Sequence, residues 1–119
     1  MGNGKNLKNT ETNMVREIIG QFYFKKTSNG NLFGEWSNND KAEIFSESCD
    51  LIKAGNDIYL GEYISTWQEN GKPISAKLTI TRKQNNSPLF FLKWHGNKFG
   101  FEGEGMLCDD ILIGRFHEV

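Results

Sequence analysis

A five-residue phrase occurs four times in this chain of 119 residues: two bulky residues, a glycine, one further residue and an aromatic ring. The copies lie at 18–22, 32–36, 59–63 and 112–116. In a strand, side chains alternate between faces, so the first bulky residue, the glycine and the aromatic share one face. A glycine inside a strand pattern marks a bend, a bulge or a close approach of another backbone. A sheet that bends at the same point in several strands is expected to curl and close.

Turn signals divide the chain into hairpins. The strongest are the Asn-Gly pairs at Asn29-Gly30 and Asn70-Gly71, which favour tight hairpin turns. Parallel neighbours would need crossovers of about a dozen residues or more, and every junction here is shorter than that. The pattern predicts strands at 18–26, 31–37, 41–53 (broken near 46–49), 58–68, 73–83, 89–95, 98–107 and 111–119.

These strands predict one all-β domain, an eight-stranded antiparallel up-and-down barrel over residues 14–119 with a short disordered or helical N-terminal segment. Residues 1–13 are polar and are expected to form a flexible tail. Closure would place the last strand against the first, so the first and last copies of the phrase would be neighbours. The main rival is a Greek-key sandwich of two sheets.

Residues in the first, fourth and last strands resemble the calycin group, which comprises lipocalins, fatty-acid-binding proteins and avidins. Gly20 and Phe22 are similar to the Gly-x-Trp of the first calycin strand, and Arg115 is similar to the basic residue that packs over that aromatic. The resemblance implies structural roles for all three. The stretch at 61–66 is similar to the Gly-x-Tyr-x-Ser/Thr of avidins, which implies ligand contacts by Tyr63 and Ser65. Read from the residues alone, Arg115 could instead form a surface ion pair with Glu35 or Glu62.

Three tryptophans are expected at one end of the barrel. Even-numbered strands all run in the same direction, and Trp36, Trp67 and Trp94 lie near the ends of strands two, four and six. Aromatic walls with polar loops would suit a cup for a flat or amphipathic ligand. The same rings could instead plug the barrel end, because a barrel of this size either is filled or holds one small ligand.

Strands four and seven are the best candidates for an inner wall. Tyr63, Ser65 and Trp67 share one face of strand four, and a buried Ser65 hydroxyl needs a hydrogen-bond partner. On strand seven, Gly103 and Gly105 face the same way and would leave space inside the barrel. Their alternative role is to permit the curvature of the sheet.

Composition argues against several function classes. The net charge is −1 with acids and bases intermixed, which is not the surface of a protein that binds nucleic acid or membrane by charge. The cysteines, Cys49 and Cys108, and the histidines, His95 and His117, show no metal-ligand spacing. With no recognisable leader, the sequence favours a cytoplasmic protein with free thiols. It predicts no metal, no cofactor and no catalytic set.

The leading functional prediction is a non-catalytic binding protein that takes a small aromatic or amphipathic ligand at the tryptophan end. Its predicted ligand-binding residues are Trp36, Tyr63, Ser65, Trp67 and Trp94.

Two other functions stay open. One is a protein-interaction module, such as an inhibitor, immunity or assembly factor, with a filled core. Its partner, or a second copy in a homo-oligomer, would meet outer patches around Phe33, Phe90 and Leu92. The other is a small barrel enzyme, which would require a titratable group inside the barrel.

Overall fold

The computed structural model describes residues 17–119 and shows a closed barrel of eight antiparallel strands in chain order. The predicted fold class is therefore confirmed, and the Greek-key alternative is wrong because every strand pairs with its sequence neighbours. The predicted tail at 1–13 lies outside the described residues. Within 17–119, no helix is long and apolar enough to cross a membrane. The strands are β1 (Ile19–Lys26), β2 (Leu32–Asn38), β3 (Phe45–Ala54), β4 (Gly61–Glu69), β5 (Lys72–Arg82), β6 (Phe90–His95), β7 (Gly100–Cys108) and β8 (Ile111–Glu118).

Two strands begin three or more residues later than predicted. β3 starts at Phe45 and runs unbroken through 46–49, and its irregularity lies further on, between Leu51 and Lys53. β4 starts at Gly61 because Tyr59 has a φ of 68°, which lies outside the extended region that a strand requires.

The seam of the barrel joins the first and last copies of the repeated phrase, as predicted. β1 pairs with β8 so that Gly20 lies opposite Phe116 and Phe22 lies opposite Gly114. A Cβ atom on Gly20 would collide with the Phe116 ring and with the carbonyl oxygen of Ser37. Each glycine thus makes room for an aromatic side chain or a backbone of the neighbouring strand, which is how the sheet curls closely enough to close.

The inner face of the barrel carries the core. On β5, Ala76, Leu78 and Ile80 are buried, as their alternation predicts. The space left by the glycines of β7 is occupied by the backbone of β8 and by core side chains instead of standing empty. A Cβ atom on Gly103 would lie 2.5 Å from the carbonyl oxygen of Arg115 and 3.3 Å from the Trp94 ring.

Tyr59 seals the end of the barrel opposite the tryptophans. Its side chain is fully buried, and its hydroxyl proton is shared between the carbonyl oxygens of Phe24, at 2.9 Å, and Asp110, at 2.7 Å. The hydroxyl of Tyr63 donates to the carbonyl oxygen of Tyr59 at 2.8 Å. Burial raises the pKa of Tyr63 to about 12, so it remains a neutral donor. Access to the interior is therefore from the other end.

The outer wall differs from expectation on β6. Phe33 of β2 is 48% exposed, but Phe90 and Leu92 are buried. The β6 alternation turns these two inward with Trp94. The prediction of an outer patch around Phe90 and Leu92 is therefore wrong, whereas Phe33 does face solvent.

Candidate functional site

The structure gathers the three tryptophans at the end where β2, β4 and β6 finish. The rings of Trp36 and Trp67 meet edge to face, with centroids 6.0 Å apart. The ring of Phe116 lies between two of these indoles, with its centroid 6.0 Å from that of Trp36 and 6.1 Å from that of Trp94. Phe22 contacts Trp94 edge to face at 5.5 Å. Edge-to-face pairs of this kind contribute about 0.5–1.5 kcal/mol beyond their buried area, so the rings form a fixed wall.

A cavity of about 170 Å³ opens among these rings; we refer to it as the tryptophan cup. An engineered cavity of about 150 Å³ binds benzene, whereas sites for drug-sized ligands measure about 300–1,000 Å³. The cup therefore has room for one aromatic ring with a small substituent. Its described lining consists of Ile18, Phe22, Trp36, Asn38, Asp40, Glu47, Trp67, Glu69, Trp94, Phe101 and Phe116.

A larger depression of about 800 Å³ lies on the outer wall, along β1, β7 and β8. Its charged side chains are solvated and pair with one another, as Lys83 and Arg115 do with Glu104. We therefore place the candidate site in the cup, where polar and aromatic groups are withdrawn from water.

Glu47 is the polar group inside the cup. It projects from β3 into the barrel and is only 3% exposed. Its Oε2 accepts hydrogen bonds from Trp94 Nε1 at 2.9 Å, from Ser65 Oγ, and from Cys49 Sγ at 3.8 Å. All three donors converge on one oxygen, and no residue in 17–119 donates to Oε1.

Burial raises the pKa of Glu47 to about 7, although the hydrogen bonds from Ser65, Trp94 and Cys49 act in the opposite direction. Near neutral pH the carboxyl is therefore present in both protonation states. Burial, followed by the negative charge of Glu47, raises the pKa of the Cys49 thiol far above its usual range. Cys49 consequently stays a neutral thiol and is not a nucleophile.

Sequence reasoning missed Glu47. The signal was present, because Phe45, Glu47 and Cys49 alternate on one face of β3 and the other face carries only polar side chains over this stretch. The break expected near 46–49 hid that alternation. Phe101 and Phe116 were also missed as lining residues, although both continue the inward faces of their strands.

The predicted site residues fall into two groups. Trp36, Trp67 and Trp94 line the cup. Tyr63 and Ser65 are fully buried outside its lining, where Tyr63 bonds to the sealing residue Tyr59 and Ser65 donates to Glu47. The structure therefore separates Tyr63 and Ser65 from the lining of the cup, and direct ligand contact by these two residues stays a prediction.

Arg115 does not cover an aromatic at the base of the barrel. Its side chain is 83% exposed and lies 3.7 Å from Glu104. On β8 the inward positions belong to Leu112, Gly114 and Phe116, so alternation turns Arg115 outward. The calycin-type role is wrong for this residue. It forms a surface ion pair, with Glu104 instead of the expected Glu35 or Glu62, and such pairs contribute little.

The electrostatics of the cup are one-sided. Three carboxylates line it, those of Asp40, Glu47 and Glu69, and its described lining contains no lysine, arginine or histidine. Trp67 Nε1 donates to Glu69 at 2.7 Å, which fixes that indole. Within residues 17–119, no group of three or more histidine, cysteine or acidic side chains is arranged to hold a metal ion. The cup can thus stack on a ring and accept hydrogen bonds.

The chain was compared with protein-family models, curated proteins and solved structures, and none of these comparisons returned a match. The calycin resemblance accordingly stays a prediction, and function rests on the geometry of the cup.

Proposed function

We propose that this protein is a non-catalytic binding barrel that takes one small aromatic or amphipathic ligand into the tryptophan cup. The observation that carries the proposal is an open cavity of about 170 Å³, walled by aromatic rings, with the buried carboxyl of Glu47 inside it. Binding sites commonly combine apolar and aromatic walls with a few placed polar groups.

Two indoles of the cup are held in place before any ligand arrives. Trp94 is tied to Glu47 at 2.9 Å, and Trp67 is tied to Glu69 at 2.7 Å. A wall whose rotamers are already ordered loses less conformational entropy on binding. This arrangement favours a cup that receives a ligand over rings that merely fill the barrel end.

The calycin resemblance supports the same proposal, since lipocalins and avidins are similar up-and-down barrels that bind small ligands. A cytoplasmic location belongs to the proposal as well, because the structure keeps both Cys49 and Cys108 as free thiols. Glu47 supplies the interior titratable group that the enzyme hypothesis requires. The neighbouring Cys49 cannot act as its nucleophile, so binding is the better supported activity.

A protein-interaction module, including a homo-oligomer, is the second candidate. Ile44 and Ile113 are 70% and 43% exposed and border one shallow depression on the outer wall beside Tyr23. Phe33 is exposed on the same strand that borders this depression, β2. Contiguous apolar surface of this kind marks contact sites. Sedimentation analysis of the full chain would show association that an Ile113→Lys variant abolishes if this wall is an interface.

Tryptophan fluorescence with a panel of one-ring compounds tests the proposed function. We expect compounds that enter the cup to change the emission and to raise the melting temperature. Trp36→Ala should abolish both effects, and Phe33→Ala, which removes a ring from the outer face of the same strand, should preserve them. Equal loss in the two variants, or no response from the unaltered protein to any compound, would contradict the proposal.

A further inference from the structure

We propose that the ligand of the tryptophan cup is a small organic cation, a protonated amine attached to one aromatic ring, whose ammonium group hydrogen-bonds Glu47 Oε1. This inference rests on the proposed function, because it specifies the ligand class of the same site.

The first step is the unequal satisfaction of the Glu47 carboxylate. Oε2 accepts from Ser65, Trp94 and Cys49, whereas Oε1 receives no donor from the described chain. A buried carboxylate is costly unless it is paired and hydrogen-bonded. Since all three neighbouring donors are neutral, the described residues 17–119 satisfy neither the charge of Glu47 nor its Oε1. A ligand that brings both a positive charge and an N–H group satisfies both at once.

The second step is the nature of the walls. Aromatic faces attract cations through their negative electrostatic potential, and rings surround the cup on several strands. The carboxylates of Asp40 and Glu69 add negative charge to the lining, which has no basic side chain among its described members. An anionic ligand would be opposed by these groups, and a neutral ligand would leave the charge of Glu47 unpaired.

The third step is size. The volume of about 170 Å³ admits a single ring with a short amine arm. A bare metal ion fits poorly, because the described residues offer no cluster of three or more ligating side chains. Ordered water can fill the same space and donate to Oε1, but it brings no charge. Charge is therefore the property that separates the proposed ligand from its competitors.

The proposal has a pH dependence that belongs to Glu47. The groups that face it are the thiol of Cys49 on β3, the hydroxyl of Ser65 on β4 and the indole of Trp94 on β6, with the carboxylates of Asp40 and Glu69 elsewhere in the lining. An alkylammonium has a pKa of about 10 and stays charged between pH 5 and 8. Burial raises the pKa of Glu47 to about 7. Below that pH a proton competes with the cation, and affinity should fall by about tenfold per pH unit.

Calorimetric titration of the full chain with benzylamine and with benzyl alcohol at pH 8 provides the test. These probes share a ring and differ mainly in charge. We expect benzylamine to bind at least about tenfold more tightly than benzyl alcohol. Glu47→Gln should lower the affinity for benzylamine by about tenfold or more and leave the affinity for benzyl alcohol nearly unchanged. Glu62→Gln removes one charge from the outer face of β4 and should alter neither affinity.

The outcomes separate the two proposals. Benzyl alcohol binding as tightly as benzylamine would overturn the cation inference and leave the proposed function standing. Binding of neither probe at millimolar concentration would overturn the proposed function, and the inference with it. If Glu47→Gln fails to fold, the affinities of the unaltered protein at different pH values provide the test. Its affinity for benzylamine must fall from pH 7 to pH 5 while its affinity for benzyl alcohol stays constant. Parallel pH profiles for the two probes would overturn the inference.

Discussion

Trp94 and Glu47 are joined by a 2.9 Å hydrogen bond that crosses the barrel interior from β6 to β3. The bond sets the orientation of an indole in the wall of the cup and places a carboxylate beside it. It connects positions 47 residues apart in the chain, on strands that share no backbone pairing. The stability of the fold and the chemistry of the cup therefore depend on the same buried acid.

Stability should fall as the pH rises through the range set by Glu47. Burial raises its pKa from 4.5 to about 7 in the folded state, so the folded protein holds this proton more tightly than the unfolded chain does. This tighter proton binding stabilises the folded state. The stabilisation is present in full below about pH 4.5 and is lost as the pH rises through about 7. The group should lower the free energy of unfolding by about 3 kcal/mol across that window.

Urea denaturation at pH 5 and pH 8 measures this effect. The difference between the two pH values should shrink in Glu47→Gln, whose amide does not titrate. Glu62→Gln, altered on the outer wall, should keep the full difference. If the free energy of unfolding of Glu47→Gln depends on pH as strongly as that of the unaltered chain, groups other than Glu47 cause the effect.

Gly20→Ala should destabilise the seam. Its new methyl group would meet the carbonyl oxygen of Ser37 and the ring of Phe116, and forced overpacking costs about 1–3 kcal/mol. Gly100→Ala is the matched control, because its closest neighbour is a methyl group of the terminal Val119, at 3.1 Å. Melting temperatures of both variants check this. A smaller loss for Gly20→Ala than for Gly100→Ala would contradict the close packing at the seam.

Tyr59→Phe should lower the free energy of unfolding by about 1–3 kcal/mol, because it removes the hydroxyl that donates to the buried carbonyl oxygen of Phe24 and to the part-buried one of Asp110. Tyr23→Phe removes a similar hydroxyl that donates to Glu35 at 2.6 Å on the outer wall. Water can replace that donor, so its effect should be smaller. Chemical denaturation compares the two variants, and equal losses would argue against Tyr59 as the seal.

The two cysteines should differ in reactivity. Cys108 is exposed, whereas Cys49 is buried and its pKa is raised by burial and by Glu47. Thiolates, and not thiols, react with alkylating reagents. Brief treatment of the native protein with iodoacetamide should therefore modify Cys108 alone, and treatment in denaturant should modify both. Mass spectrometry of the digested chain distinguishes these results, and native modification of Cys49 would show that the interior opens.

Local features of the chain predict much of this fold. The Asn-Gly turns, the short junctions and the alternation on β5 depend on neighbouring residues, and they identify eight strands in up-and-down order. The direction of the even strands then places Trp36, Trp67 and Trp94 at one end. These inferences need no knowledge of contacts between distant strands.

The candidate site required more than local information. Alternation along β3 turns Glu47 inward and alternation along β8 turns Arg115 outward. Both orientations follow from the register of each strand with its neighbours. Tyr63 and Ser65 share a face with Trp67, but their depth along the barrel separates them from the cup.

The sequence by itself therefore determined the antiparallel strands in up-and-down order and the end that the tryptophans share, because alternation and turns are local properties of the backbone. Only the tertiary structure decided that the sheet closes into a barrel and that Glu47 meets Ser65 and Trp94 inside it, with one carboxyl oxygen to which none of the residues 17–119 donates. That arrangement depends on how distant strands are staggered around the closed sheet, and the stagger brings together residues that no local pattern pairs.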